Sequence, residues 1–206
     1  IYVNQSGATL DLDITQDGQN NTVGSSGTAS SVIGATTNLA ITQVGSNNVM
    51  TFDVNGATYT GTYSVTGNSN NIDFNCDSGG SNSSCGTATA SIVWVGSSND
   101  IDIDIGETSS ATSATVGITG ASGSDSNTIL GTIDGNSAIL TLSVNGDTNN
   151  FLVDIDGNGD SVGHTYIHTH TGSIADVDIT QSGIYDNMVT LTTVGDNHDI
   201  DITQTD

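Results

Sequence analysis

Carboxylates are the side chains of this sequence that are best suited to do chemistry, because they could bind cations. Asp154, Asp156, Asn158 and Asp160 have the spacing of the first half of an EF-hand calcium loop. The second half differs, since Thr165 stands where that loop needs a bidentate Glu, and no helical pattern flanks the segment. The segment therefore predicts either a calcium site or only a Gly/Asn corner between two strands. No cofactor is required by this interpretation, and calcium is the candidate ligand.

Asp and His side chains also alternate with other residues on predicted strands. The Asp residues of segments 100–104, 176–178 and 199–201 are either solvated charges or carboxylate pairs that bind divalent cations. His168 and His170 lie two residues apart and so share one strand face, which the register makes the inward face beside Tyr166. Two His residues are a weak indication of a metal site, so we expect packing or a stacked polar ladder. No catalytic triad can be singled out, and the sequence predicts no enzymatic activity.

The two cysteines predict a disulfide. Cys76 and Cys85 are separated by eight residues, which are rich in Ser and Gly, and the chain has no other Cys. A disulfide between them would close a surface loop and indicates an oxidising compartment. Two free thiols are the alternative, and a metal site is disfavoured because no His lies nearby.

These residues must be positioned by a repeat, which is clearest in residues 38–56. Leu39, Ile41 and Gln43 alternate with smaller or polar residues up to Gly45, and the alternation resumes at Met50. Alternation on both sides of a Gly/Asn corner is typical of strand, turn and strand. The corner Gly recurs at intervals of eleven residues, as in Gly34, Gly45, Gly56 and Gly67, in Gly135, Gly146 and Gly157, and in Gly172 and Gly183.

This fixed interval predicts an all-β fold, a β-solenoid with two strands per coil. Each coil has about 22 residues and each half-coil 11, and residues 1–206 form a single domain. The hairpins of a β-sandwich are the alternative, but a sandwich has no reason to keep one register for so long. Insertions that protrude as surface loops are expected near residues 24–31, 75–86, 107–126 and 158–165.

Inward-facing amides form the candidate assembly site. A Gln on an apolar face is costly unless its amide is hydrogen-bonded, and identical amides on successive coils can satisfy one another as a ladder. Most of the Gln residues lie towards the two ends of the repeat, and Asn lies three residues after many corner Gly residues. We expect the end coils to continue these ladders across a junction between copies. The ladder residues predicted in this way are Gln5, Gln16, Asn21, Gln43, Asn48, Gln181 and Gln204.

Composition excludes several functions. The chain has no Lys or Arg and a formal net charge of −23, which argues against binding to nucleic acid or to an anionic membrane surface. It also has no Pro, as expected if nearly every strand is paired on both edges. Hydrophobic residues make up only 33% of the chain, which suits the thin core of a solenoid. The sequence begins with Ile1 rather than Met, as expected of a processed mature chain.

Threonine also alternates on two predicted strands. Thr58, Thr60 and Thr62 form one run, and Thr190 and Thr192 form another. In the predicted register these runs are not continued on successive coils. The sequence therefore predicts no flat Thr-lined surface of the kind found in ice-binding solenoids.

The corners carry a short motif, Gln, any residue, Gly, two residues, Asn. It is complete at Gln16-Asp-Gly-Gln-Asn-Asn21 and at Gln43-Val-Gly-Ser-Asn-Asn48, while Gln181-Ser-Gly-Ile-Tyr-Asp186 ends in Asp and Gln5-Ser-Gly7 keeps the first half. This motif resembles the curlin repeat of secreted bacterial functional amyloids. The inserted loops, the Cys pair and the Val, Trp or His in place of Gln in the middle coils depart from that family.

The resemblance implies a structural subunit of an extracellular, curli-like fibre that acts in surface adhesion or in the biofilm matrix. It implies two-strand coils, export to the cell surface, head-to-tail polymerisation through uncapped end coils, and partners for export and nucleation. The alternative is a calcium-stabilised solenoid adhesin or phage-fibre segment that works as a discrete particle. Long unbranched filaments in electron microscopy would favour the first of these functions.

Overall fold

The computed structural model describes residues 1–24, 29–76, 85–106, 113–135, 137–157, 164–183 and 187–205, and only the backbone of Val32. These residues form fifteen β-strands, and no helix occurs among them. The strands are β1 (Asn4–Asp17), β2 (Thr22–Val23), β3 (Ser30–Val44), β4 (Val49–Thr66), β5 (Asn71–Cys76), β6 (Cys85–Val95), β7 (Asp100–Ile105), β8 (Ser113–Gly120), β9 (Thr128–Asp134), β10 (Ile139–Asn145), β11 (Asn150–Asp156), β12 (Thr165–Thr171), β13 (Asp176–Ser182), β14 (Met188–Val194) and β15 (Asp199–Thr205).

All pairings between these strands are parallel, and each joins strands of successive coils. They build two faces. The first face contains residues 9–17 of β1, 36–44 of β3 and 58–66 of β4, followed by β6, β8, β10, β12 and β14. The second face contains residues 4–7, β2 with residues 30–33, residues 49–54 of β4, and then β5, β7, β9, β11, β13 and β15. The predicted β-solenoid with two strands per coil is therefore confirmed.

The coils are longer than expected. The solenoid has about seven turns of about 26 residues each, whereas the repeat predicted about 22. The predicted length is the minimum: Val49 pairs with Asn71, 22 residues further on, but Asn71 pairs with Asp100, 29 residues further on. Insertions at the corners, and one within a second-face strand, account for the difference.

Two different corners connect the faces, and both contain Gly, so their eleven-residue spacing did not separate them. The first corner leads from the first face to the second, as at 45–48, and the second corner leads back, as at 55–57. The predicted insertions at 75–86 and 158–165 lie at the second corner, and the one at 24–31 instead interrupts a second-face strand between β2 and β3. The prediction of an insertion across 107–126 was wrong for residues 113–120, which form strand β8 of the first face, and for residues 124–126, which belong to a first corner. Residues 25–28, 77–84, 107–112 and 158–163 of these insertions lie outside the described residues.

The core is the narrow space between the two faces. Inward residues alternate with outward ones along each strand and are mostly Ile, Val, Leu and Ala, with a few large rings. Trp94 is fully buried, and a Cβ at Gly120 in the next coil would overlap its indole ring, so the Gly makes room for the Trp. The described residues contain no helix that is long and apolar enough to cross a lipid bilayer.

Candidate assembly surfaces and binding sites

An asparagine ladder runs along the first corner. Asn48 Oδ1 accepts a hydrogen bond from the backbone N–H of Asn21 at 2.9 Å, and the same bond recurs from coil to coil at 2.9–3.0 Å. The side-chain amides of Asn70, Asn99 and Asn127 also donate to the next Asn, at 3.0–3.1 Å. The ladder consists of Asn21, Asn48, Asn70, Asn99, Asn127 and Asn149. Side-chain oxygens thus satisfy backbone donors that a tight corner would otherwise bury unpaired.

The corner backbone explains why Gly recurs there. Gly45 has φ of 118°, and five other corner Gly residues have φ of 117–146°. Asn47 has φ of 58°, and the residues at the same position of the other first corners, which include Ser, Thr and Ile, have φ of 55–61°. A Cβ at Gly45 would overlap the carbonyl oxygen of Gly18 in the preceding coil, so only Gly fits. Asn127 was missed in the sequence because its corner has Ser124 in place of the Gly. The signal that identifies it is the Asn directly before a new apolar strand, as in Asn48 before residues 49–54.

The predicted glutamine pairs are brought together. Gln43 Nε2 donates to Gln16 Oε1 at 2.9 Å on the first face, and Gln204 Nε2 donates to Gln181 Oε1 at 2.9 Å on the second face. The side-chain amide of each of these Gln residues also donates to a backbone carbonyl oxygen across a corner. For example, Gln43 Nε2 lies 3.4 Å from the carbonyl oxygen of Val49. These amides therefore tie successive coils together and close the corner beside them.

Gln5 does not join the pair formed by Gln16 and Gln43, because it lies on the other face. It pairs with Val32 on the second face, and the same position continues coil by coil to Gln181 and Gln204. The column of equivalent positions is Gln5, Val32, Val54, Cys76, Ile105, Ile133, Ile155, Gln181 and Gln204. Amides thus occupy both ends of one column, and Gln5 Oε1 is buried without a hydrogen-bond partner in the described chain.

The two cysteines form the predicted disulfide. Cys76 and Cys85 are bonded, and both are buried. Cys76 ends β5 on the second face and Cys85 begins β6, so the bond closes the base of the insertion at this second corner. The predicted loop closure is therefore present.

The predicted calcium segment is only partly described. Asp154 and Asp156 lie on the outward side of β11, and the hydroxyl of Ser182 donates to Asp156. Burial and the neighbouring Asp156 raise the pKa of Asp154. Asn158 and Asp160 lie outside the described residues, so the calcium site stays a prediction. Among the described residues no cluster of three or more His, Cys, Asp or Glu is arranged to hold a metal ion.

The outward side of the second face is nevertheless strongly acidic. Twelve Asp side chains lie on its strands, and burial together with the charge of Asp100 raises the pKa of Asp73. They are Asp53, Asp73, Asp100, Asp102, Asp104, Asp134, Asp154, Asp156, Asp176, Asp178, Asp199 and Asp201. This face repels anions and attracts cations.

The histidines lie inside the last coils, as predicted for His168 and His170. His170 Nε2 lies 2.7 Å from the carbonyl oxygen of Gly146 and donates to it, and the hydroxyl of Tyr166 lies 3.0 Å from His168 Nδ1. The rings of His168 and Phe151 meet edge to face, with centroids 4.6 Å apart. Burial, with His170 and His198 nearby, lowers the pKa of His168 to about 3, so its ring is neutral at neutral pH.

The first face contradicts the expectation for threonine. Thr60 pairs with Asn38 on one side and with Thr89 on the other, and Thr89 pairs with Thr115. Another outward column continues from Thr15 to Thr192 with only one residue, Val93, that is neither Thr nor Ser. Variable insertions hide this register in the linear sequence. The prediction that the Thr runs are not continued on successive coils was wrong.

The chain is thus a β-solenoid with one acidic face, one hydroxyl-rich face and amide ladders inside its coils. Comparison with known proteins identifies no relative of the chain, since no protein-family model, curated protein or solved structure matches it.

Proposed function

We propose that this chain is a structural, non-enzymatic subunit of an extracellular curli-like fibre and that copies stack end to end through their strand edges, for surface adhesion or in a biofilm matrix. Three observations support the proposal: the repeated two-strand coil, the internal amide ladders and the resemblance of the corner motif to the curlin repeat. The buried disulfide supports assembly in an oxidising compartment. The high negative charge favours solubility before assembly.

The strand edges at both ends are suited to pairing. Within the described chain, β14 and β15 pair with another strand along one edge only, and so does β1. In β15, Ile200 and Ile202 occupy inward positions, yet they are 37% and 45% exposed because no further strand covers them. Unpaired backbone groups beside exposed apolar side chains form a template for the strand of another molecule. Stacking would bury both.

The second-face column is the observation on which the proposal rests. If β15 of one copy pairs in register with residues 1–7 of the next, Gln204 lies beside Gln5. Gln204 Nε2 already donates to Gln181 Oε1, so Gln204 Oε1 remains to accept from Gln5 Nε2 of the next copy. The ladder would then continue in the same direction across the junction.

The two faces set different requirements at such a junction. With the second faces in register, β14 lies two strand spacings, about 10 Å, from residues 9–17 of the next copy, so a further strand has to complete the first face. A junction that pairs the first faces directly would instead bring Thr190 beside Asp13 and would displace residues 1–7. These two arrangements can be told apart.

Cross-linking through engineered cysteines tests the junction. In the second-face register, Asn4→Cys and Thr203→Cys place two outward Cys residues on neighbouring parallel strands at about 4.8 Å, within the range of a disulfide. We expect this double variant to form ladders of covalent oligomers under mild oxidation, and filaments to appear in electron microscopy. Oligomers formed instead by Asp13→Cys with Thr190→Cys would show the first-face junction. Discrete particles with neither cross-link would contradict end-to-end stacking.

The amide ladder has its own test. A Gln5→Ala/Gln204→Ala variant should polymerise more slowly than the native chain, because the junction then lacks its amide pair. Gln19→Ala, an exposed amide at the first corner outside the column, is the matched control and should leave the rate unchanged. Equal rates for all three proteins would count against the ladder.

The acidic second face favours a second candidate, a calcium-stabilised adhesin or phage-fibre segment that acts as a discrete particle. Isothermal titration with calcium addresses it. Tight binding together with discrete particles would favour this function over the fibre.

A further inference from the structure

The two outward surfaces of the solenoid differ sharply in charge. Twelve Asp side chains lie on the second face, whereas the first face has no charged side chain from β3 through β14. Its only carboxylates lie at one end, on the outward positions of β1. They are Asp11, Asp13 and Asp17. Twelve of the 23 acidic residues of the chain therefore lie on the second face, whereas strands β3 to β14 of the first face add no charge that would repel another copy.

The uncharged face is built mainly of small side chains. Its columns consist mainly of Thr and Ser, and its exposed large apolar residues are Val44, Val93, Val95, Ile139, Met188 and Val194. No aromatic side chain lies on the outward side of this face, since Tyr59, Tyr63 and Trp94 point into the core. A surface without rings lacks the usual platform for stacking on sugars or bases, whereas small side chains from two sheets can interdigitate closely.

We propose that two copies of this chain pair laterally through their first faces. Charge selects this partner, because a second copy offers the same uncharged surface and no complementary cation is available in a chain without Lys or Arg. The pairing is isologous, with the same residues on both sides of a two-fold axis. It does not depend on the end-to-end stacking proposed above.

The size of the face suits such an interface. Eight strands spaced at about 4.8 Å, with about seven residues of each on this face, cover about 900 Å². A stable interface of standard size needs about 800 Å² from each partner. The two acidic second faces would then point away from each other at about 30 Å, beyond the Debye length of about 8 Å at physiological salt.

The acidic end of the face sets the orientation. A parallel arrangement would place Asp11, Asp13 and Asp17 of both copies opposite each other, and like charges in an interface are strongly unfavourable. An antiparallel arrangement places them against the uncharged strand β14 of the partner. We therefore assign the antiparallel arrangement, in which β6 of one copy crosses β8 of the other.

The test uses two charge-matched double variants of the full chain. Thr89→Asp/Thr115→Asp adds two charges at the centre of the first face, where each copy would oppose the other. Thr132→Asp/Thr180→Asp adds the same two charges on exposed positions of the second face and is the control. Both pairs are made in an Ile202→Asp background that blocks stacking, and circular dichroism confirms that each variant is folded.

Sedimentation equilibrium gives the result. We expect the parent and the second-face control to be dimers, and the first-face variant to dimerise at least about tenfold more weakly, because like charges oppose each other in its interface. A monomeric parent, or equal weakening by both pairs of substitutions, would overturn the proposal. Incorporation of a monomeric parent into growing ice would also overturn it and would assign the Thr columns to ordered water.

The width and the presence of filaments in electron microscopy distinguish lateral pairing from the end-to-end stacking of the proposed function. Without Ile202→Asp, the first-face variant should still form filaments of normal length but with half the width. Filaments of unchanged width would refute lateral pairing alone, whereas a parent without filaments would refute end-to-end stacking alone.

Discussion

Replacing one asparagine in the middle of the ladder should destabilise the solenoid far more than its size suggests. Asn99 is buried, and its Oδ1 accepts from the backbone N–H of Asn70 at 2.9 Å and from Asn70 Nδ2 at 3.1 Å. Its own amide donates to Asn127 at 3.1 Å. Asn99→Ala removes all of these side-chain bonds and leaves the corner backbone otherwise unchanged.

The cost follows from the donors that lose their acceptor. A buried polar group without a partner costs about 1–3 kcal/mol, and Asn99→Ala leaves two such donors on Asn70. Water that enters the corner would recover part of this loss. We therefore expect the free energy of unfolding to fall by about 3 kcal/mol. Asn145→Ala, the same change at an exposed position near the end of β10, should cost less than about 0.5 kcal/mol.

Denaturant titration followed by the fluorescence of Trp94 measures the effect. This residue is the only Trp, and it is buried just before the corner that contains Asn99, so it reports on the coils concerned. Circular dichroism in parallel shows whether the other coils unfold with it, since solenoids can lose cooperativity along their length. Equal stability of Asn99→Ala and Asn145→Ala would refute the view that the ladder supports the corner.

Three further perturbations test other parts of the structure. Cys76→Ser/Cys85→Ser should lower stability by about 2–3 kcal/mol, because the disulfide closes a loop of about ten residues, and reductant should have the same effect on the native chain but none on the variant. Gly45→Ala should cost about 3 kcal/mol or more, since φ is 118° and a Cβ would overlap Gly18, whereas Gly117→Ala, with no atom near the added Cβ, should not destabilise. Acidification from pH 7 to pH 4.5 should destabilise the last coils by about 2–3 kcal/mol, because the pKa of His168 is about 3 when folded and about 6.5 when unfolded, so the unfolded chain takes up the proton in this window. His168→Leu should flatten that dependence, and an unchanged slope would refute its origin.

The coil architecture could be predicted because the physics of a solenoid repeats in the sequence. Leu39, Ile41 and Gln43 share one side of a strand whatever the tertiary structure, and each inward face found in the structure follows this alternation. The pairing of Gln43 with Gln16 could also be predicted, because both precede a first corner by two residues. Local chemistry and global fold agree at these positions.

What the sequence did not reveal depends on register between coils. Insertions of different length at the second corner shift the numbering, so Thr60 and Thr89 are 29 residues apart although they are neighbours in space. The assignment of Gln5 to the second face and the difference in charge between the faces depend on the same register. Asn127 was missed because its corner has Ser124 where the others have Gly, so a pattern based on Gly could not detect it.

The two corners have opposite tolerance for change. One side of the rod is held by stacked asparagines at nearly constant corner length, while the other accommodates added segments of several sizes without disturbing the strands beside them. The number of coils and the size of the inserted loops can therefore change independently of each other. A foreign peptide grafted between β9 and β10, where the native chain makes a short connection, would be displayed along the same ridge as the native loops, at a height fixed by the winding that carries it.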